Sequence, residues 1–130
     1  MEYKQLMLQA AAARQNAYAP YSGYKVGAAL ITKSGKVYLG CNVENASFGE
    51  TVCAERVAVL KAVSEGEREL KAIAITGGRD SLVFCSPCGS CRQVLNEFCD
   101  GDFKVILGTP DELSVFTLGE LLPHSFKLEE

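Results

Sequence analysis

The chain of 130 residues has no tryptophan, four prolines and one histidine, His124. It has no apolar run of the length that spans a membrane, so an integral membrane protein is not expected. It has no Lys/Arg cluster longer than a dipeptide, and its formal net charge is −3. Proteins that bind polynucleotides draw most of their affinity from cations facing phosphates. A nucleic-acid partner is therefore disfavoured, and a small uncharged ligand fits better. The first residues, Met1-Glu2-Tyr3-Lys4-Gln5, lack the basic-then-apolar order of a secretory signal. A soluble, cytoplasmic protein is the expectation, with residues 1–130 forming one domain.

Cysteine is the residue the chain does not lack. There are six: Cys41, Cys53, Cys85, Cys88, Cys91 and Cys99. Without a secretion signal, reduced thiols are expected over disulfides. Cys41, Cys85 and Cys99 read as passive or buried thiols, which pack as small hydrophobes. The other three stand in two short motifs, Cys53-Ala54-Glu55 and Pro87-Cys88-Gly89-Ser90-Cys91. Three thiolates fill three corners of a zinc tetrahedron. Structural zinc sites close all four corners with protein ligands, whereas catalytic ones keep a position for water. Glu55 then has a task, which is to move protons to and from that water. A structural site with Cys85 or His124 as fourth ligand is the alternative. A lone late histidine is more often a surface or packing residue.

Periodicity and turn residues predict the order α-β-β-α-β-α-β-β-α. Helices are expected over 3–17, from Thr51 or Val52 to Ser64, from Pro87 to Phe98 and over 118–122. Strands are expected over 24–32, 37–42, 70–76, 104–107 and 114–117. Alternating helices and strands predict a three-layer α/β/α protein with a central five-stranded sheet. Both cysteine motifs then fall at helix N-termini, where backbone N–H groups and the helix dipole favour thiolate over thiol. Three thiolates also donate charge to the metal, which opposes acidification of its water. Arg56 is expected to offset this by donating hydrogen bonds to the sulfurs.

Cys-Ala-Glu-Arg followed by Pro-Cys-Gly-x-Cys resembles the zinc-dependent cytidine deaminases. His or Cys, then Glu, then Pro-Cys-x-x-Cys is the known plan of zinc deaminases. Tyr18-Ala19-Pro20-Tyr21-Ser22, residues 26–30, residues 40–46 and Glu120-Leu121-Leu122-Pro123 extend the resemblance over almost the whole chain. It implies a mixed sheet and hydrolytic deamination of cytidine and deoxycytidine, as in pyrimidine salvage. It also implies one Zn2+ per subunit on Cys53, Cys88 and Cys91, with Glu55 as proton shuttle. The backbone around Ala54 and Ser86 would meet the base. Asn42 and Glu44 would bind the ribose, and Glu44 would repel a phosphate. Tyr24, where the family usually has phenylalanine, would face the substrate. Phe48 and Phe126 stand where aromatics from a neighbouring subunit or the C-terminus close the site. The cysteine in the first motif resembles the small homotetrameric branch, with sites near subunit interfaces. Three other readings stay open: a deaminase of another aminopyrimidine, a zinc-stabilised binding module and a nucleic-acid editing subunit.

Overall fold

The computed structural model describes residues 1–128. Helix α1 spans Tyr3–Ala13, followed by a 3-10 turn at Arg14–Asn16. Strands β1 (Lys25–Thr32) and β2 (Val37–Cys41) form a hairpin. Helix α2 covers Ala54–Ser64, β3 Leu70–Gly78 and α3 Gly89–Phe98. Strands β4 (Lys104–Thr109) and β5 (Glu112–Thr117) and the short helix α4 (Leu118–Leu121) complete the fold. The order of helices and strands is the expected one. The first helix ends earlier than 17, and Pro87 lies outside α3, just before its N-cap residue Cys88.

One five-stranded sheet runs in the order β2-β1-β3-β4-β5. It is mixed: β3 and β4 pair in parallel, and the other pairs are antiparallel. Side chains alternate along each strand and so feed two cores. Ala29, Ile31, Ala72, Ala74 and Ile106 face α1, whose Leu6, Met7 and Ala10 are buried against them. Ala28, Leu30, Ile73, Ile75, Val105 and Leu107 face the opposite way, with Ala58 and Val59 of α2 and Leu95 of α3. The result is the α/β/α sandwich that the alternation of elements implied.

Two glycines let helices approach the sheet closely. A Cβ on Gly27 would lie 1.9 Å from the Ala10 carbonyl oxygen of α1. A Cβ on Gly40 would lie 2.3 Å from the Ala54 oxygen and 2.7 Å from the Ala58 nitrogen of α2. The buried face of α2 is itself small, carrying Ala54, Ala58 and Ala62 at four-residue spacing. Helix α2 therefore seats directly on β2, and its N-terminal residues inherit a fixed position over the sheet.

Candidate active site

Cys53 and Cys88 occupy the same structural position on different helices. Each is an N-cap residue with extended backbone, of α2 and α3 respectively. The Cys88 sulfur accepts the Cys91 backbone N–H at 3.4 Å, the bond that usually starts a helix from a hydroxyl or carboxylate. Cys91 lies in the first turn of α3 and is buried. The Cys53–Cys88 sulfur separation is 3.9 Å and the Cys88–Cys91 separation 3.3 Å. All three sulfurs lie within 4.8 Å of one another. Tetrahedral zinc, with Zn–S of about 2.3 Å, sets sulfurs roughly 3.8 Å apart. The cluster fits that ion in both spacing and donor type.

The protons on this cluster are unevenly held. The Cys53 thiol is pulled down to about 5, first by a hydrogen bond from Cys91, then by Cys88 and the Arg56 charge, against burial. The Cys91 thiol is pushed up in turn, by that same bond to Cys53 and by burial. Metal binding requires all three as thiolates, so a bound cation would displace the protons that remain on the cluster.

Arg56 lies at the start of α2, beside the cluster. Its Nη2 donates to the Thr51 carbonyl at 3.0 Å. Its charge favours thiolate at Cys53. The Arg56 Nε is buried without a partner. An orphaned donor beside three sulfurs suits a cluster that becomes fully anionic when it binds a metal.

Glu55 is 5% exposed, in the first turn of α2. Burial raises its pKa and the Cys53 charge adds to this, while its own backbone N–H opposes both. A buried carboxyl with a raised pKa is suited to proton transfer.

A cavity of about 170 Å³ joins Cys53, Glu55 and Cys88 to Val26, Asn42, Thr51, Ala54, Cys85 and Ser86. The Asn42 side chain accepts from Val26 N–H at 2.8 Å and donates to the Tyr24 carbonyl at 2.8 Å. One amide hydrogen remains to point elsewhere. Glu44 lies outside this cavity, in an adjoining depression of about 410 Å³ with Tyr21, Ser22, Phe48 and Thr51. Its carboxylate accepts from the N–H groups of Tyr21 (2.9 Å) and Ser22 (3.1 Å) and from the Ser22 hydroxyl. The Ser22 hydroxyl bond holds its pKa below the ordinary carboxylate value, with the two backbone bonds adding. Thr51 lines both spaces, so they share a wall.

Besides Glu44, the expected residues Tyr24, Phe48 and Phe126 also lie outside the cavity. Tyr24 borders a neighbouring cleft with Gly78–Ser81 and Val83. The Tyr24 hydroxyl and the Cys85 thiol of the cavity wall both have pKa values shifted upward, chiefly by burial. Phe48 lies on the outer depression and is 76% exposed. Phe126 is 69% exposed, and its carbonyl accepts from Asn96 of α3 at 3.0 Å. The structure adds Thr51 and Arg92, to which no sequence motif drew attention, and gives Ser22, within the Tyr18–Ser22 motif, a contact to Glu44 that the motif did not specify. Only the adjacency of Arg92 to Cys91 marks it in the sequence.

An α/β/α sheet carrying a three-thiol cluster and a buried carboxyl at its helix N-termini defines the zinc-deaminase class of fold. Residues 1–109 match the family model described as the cytidine and deoxycytidylate deaminase zinc-binding region. The chain is 47% identical to a cytidine deaminase of Halalkalibacterium halodurans, over 100% of this chain and 98% of that one. The crystal structure of cytidine deaminase from Burkholderia pseudomallei superposes with a TM-score of 0.90. It is 46% identical and covers 97% of this chain and 100% of its own. That from Mycobacterium tuberculosis gives a TM-score of 0.84 at 40% identity, over 98% and 99% of the two chains. The chain belongs to the cytidine and deoxycytidylate deaminase family.

Proposed function

We propose that this protein is a zinc-dependent cytidine deaminase that hydrolyses cytidine and deoxycytidine to uridine and deoxyuridine, releasing ammonia. The observation that carries the reading is the buried Glu55 carboxyl in one cavity with Cys53, Cys88 and Asn42. The family membership supports it. Cys53, Cys88 and Cys91 would hold one zinc per subunit. When bound, the ion supplies a water acidified enough to attack the ring near neutral pH. Glu55 would carry one proton of the attacking water to ring N3 and the remaining hydroxyl proton to the amino group, which leaves as ammonia. Its upward-shifted pKa suits both directions of transfer.

The cavity is smaller than a typical ligand pocket of about 300–1,000 Å³. It suits the base alone, and the sugar then extends past Thr51 toward the depression that holds Glu44. In this pose the backbone at Ala54 and Ser86 meets the base. The spare Asn42 N–H and an unused lone pair of Glu44 meet ribose hydroxyls. The Glu44 charge repels a phosphate there, so nucleosides are preferred to nucleotides. Tyr24 presents an aromatic face from behind Cys85. Phe48 and Phe126 are apolar groups exposed on one subunit, and they suit burial against neighbours in a homotetramer. We assign residues 1–130 to one domain, with a cytoplasmic role in pyrimidine salvage.

Ammonia release from cytidine, deoxycytidine, cytosine, cytidine monophosphate and adenosine tests the reading, before and after zinc removal. Zinc-dependent release from the two cytosine nucleosides is the expected result. Release from none defeats the reading, and release only from cytosine or the monophosphate defeats the ribose contacts.

A further inference from the structure

Residues 84–87 lead into the second cysteine motif without regular secondary structure. They make no backbone–backbone hydrogen bond among the described residues. Ser86 nevertheless lines the cavity, so its position must be set by something other than a strand or helix. That something is the Arg92 side chain, which reaches back from the first turns of α3. Its Nε donates to the Pro87 carbonyl at 2.9 Å and its Nη2 to the Ser86 hydroxyl at 2.8 Å. Its Nη1 donates to the Leu121 carbonyl at 2.6 Å, in the last turn of α4. Arg92 has no carboxylate within ion-pair distance among the described residues. All three nitrogens of the guanidinium are thus spent on positioning.

We propose that Arg92 is a positioning residue of the deamination reaction. It fixes the Ser86–Pro87 segment at the cavity wall and locks α4 against it. The planar fork matters here. It places three donors in one rigid geometry, which neither the single ammonium of lysine nor an amide reproduces. The proposal rests on the reading that the Ser86 backbone meets the substrate base. A loop freed from Arg92 would still carry Cys88, because the N-cap bond from Cys91 N–H holds that sulfur independently. The cost should therefore fall on substrate binding and not on metal binding.

The test compares Arg92→Gln and Arg92→Lys with the wild-type protein in kcat, KM for cytidine, bound zinc and thermal midpoint. Groups that orient a site from behind its contacting residues typically contribute about ten- to a hundredfold. The expected result is a KM raised roughly tenfold in Arg92→Gln, with wild-type zinc content. Arg92→Lys, which restores at most one of the three bonds, should recover little of this. A purely structural role would instead lower the thermal midpoint and the active fraction, leaving KM unchanged. A wild-type KM in either soluble variant overturns the proposal. Absence of deamination in the wild-type protein overturns the functional reading itself, which keeps the two failures apart.

Discussion

Glu55 shows how one residue's setting sets its chemistry. It stands in the first turn of α2, where acids are common because the helix dipole favours them. Here the carboxyl is turned inward, and burial reverses the usual effect by raising its pKa. A carboxyl with a raised folded pKa holds its proton more tightly when folded. Its burial penalty is absent below the ordinary carboxylate range and grows as pH rises through the raised value. Glu55→Gln should therefore stabilise the metal-free protein at neutral pH and leave it unchanged near pH 4. Thermal midpoints measured across that range check this. The same variant should retain zinc and lose about a hundredfold or more in kcat. Full activity with full zinc would remove Glu55 from the reaction. At this scale the sequence was informative where chemistry is scarce. Cys53, Cys88, Cys91 and Glu55 stood out because few groups do what they do. Arg92 and Ser22 did not, because arginine and serine have many surface roles and their partners lie far off in sequence.

At the scale of elements, α2 and α3 present their N-cap cysteines to one point. Helix α2 can do so only because Gly40 admits it onto β2. Gly40→Ala would drive a methyl group into the Ala54 carbonyl and the Ala58 nitrogen. Backbone atoms cannot turn aside as a flexible side chain can, so α2 must lift or tilt. The expected cost is about 3 kcal/mol, seen as a lowered thermal midpoint. Displaced Cys53 should also lower zinc occupancy after mild chelation. Element order and type were legible in the sequence, because apolar periodicity reports which face is buried. Helix ends were less so. Helix α1 gives way to a 3-10 turn at Arg14, although its alanine-rich stretch has no breaker before Ala19-Pro20. Arg14 instead donates to the Gly78, Arg79 and Asp80 carbonyls of a loop 64 to 66 residues away. A tertiary demand of that kind leaves no local signal.

For the whole molecule, the two apolar clusters lie on opposite faces of the sheet and include none of the three proposed ligand cysteines. Chelation of zinc should therefore abolish ammonia release while leaving far-UV circular dichroism largely intact, and added zinc should restore activity. Collapse of the helical signal on chelation would make the site structural. Phe48, together with the half-exposed Tyr21 ring that it meets edge-on at 6.2 Å, forms an apolar surface beside the Glu44 depression. If the proposed homotetramer is built on this surface, Phe48→Ala weakens self-association and shifts the light-scattering mass toward fewer chains. An unchanged mass would place the interface elsewhere.

The sequence by itself determined the donor set and the nearby carboxyl, through the two cysteine motifs, and the alternation of elements, through apolar period, because residue type and local period are properties of neighbouring positions. Only the tertiary structure decided which groups share a cavity. It drew Asn42, Thr51 and Ser86 around Glu55, put Glu44 across a wall from them and tied Ser86 to α4 through Arg92. Those relations join segments tens of residues apart, and packing of the helices on the sheet is what brings them within reach.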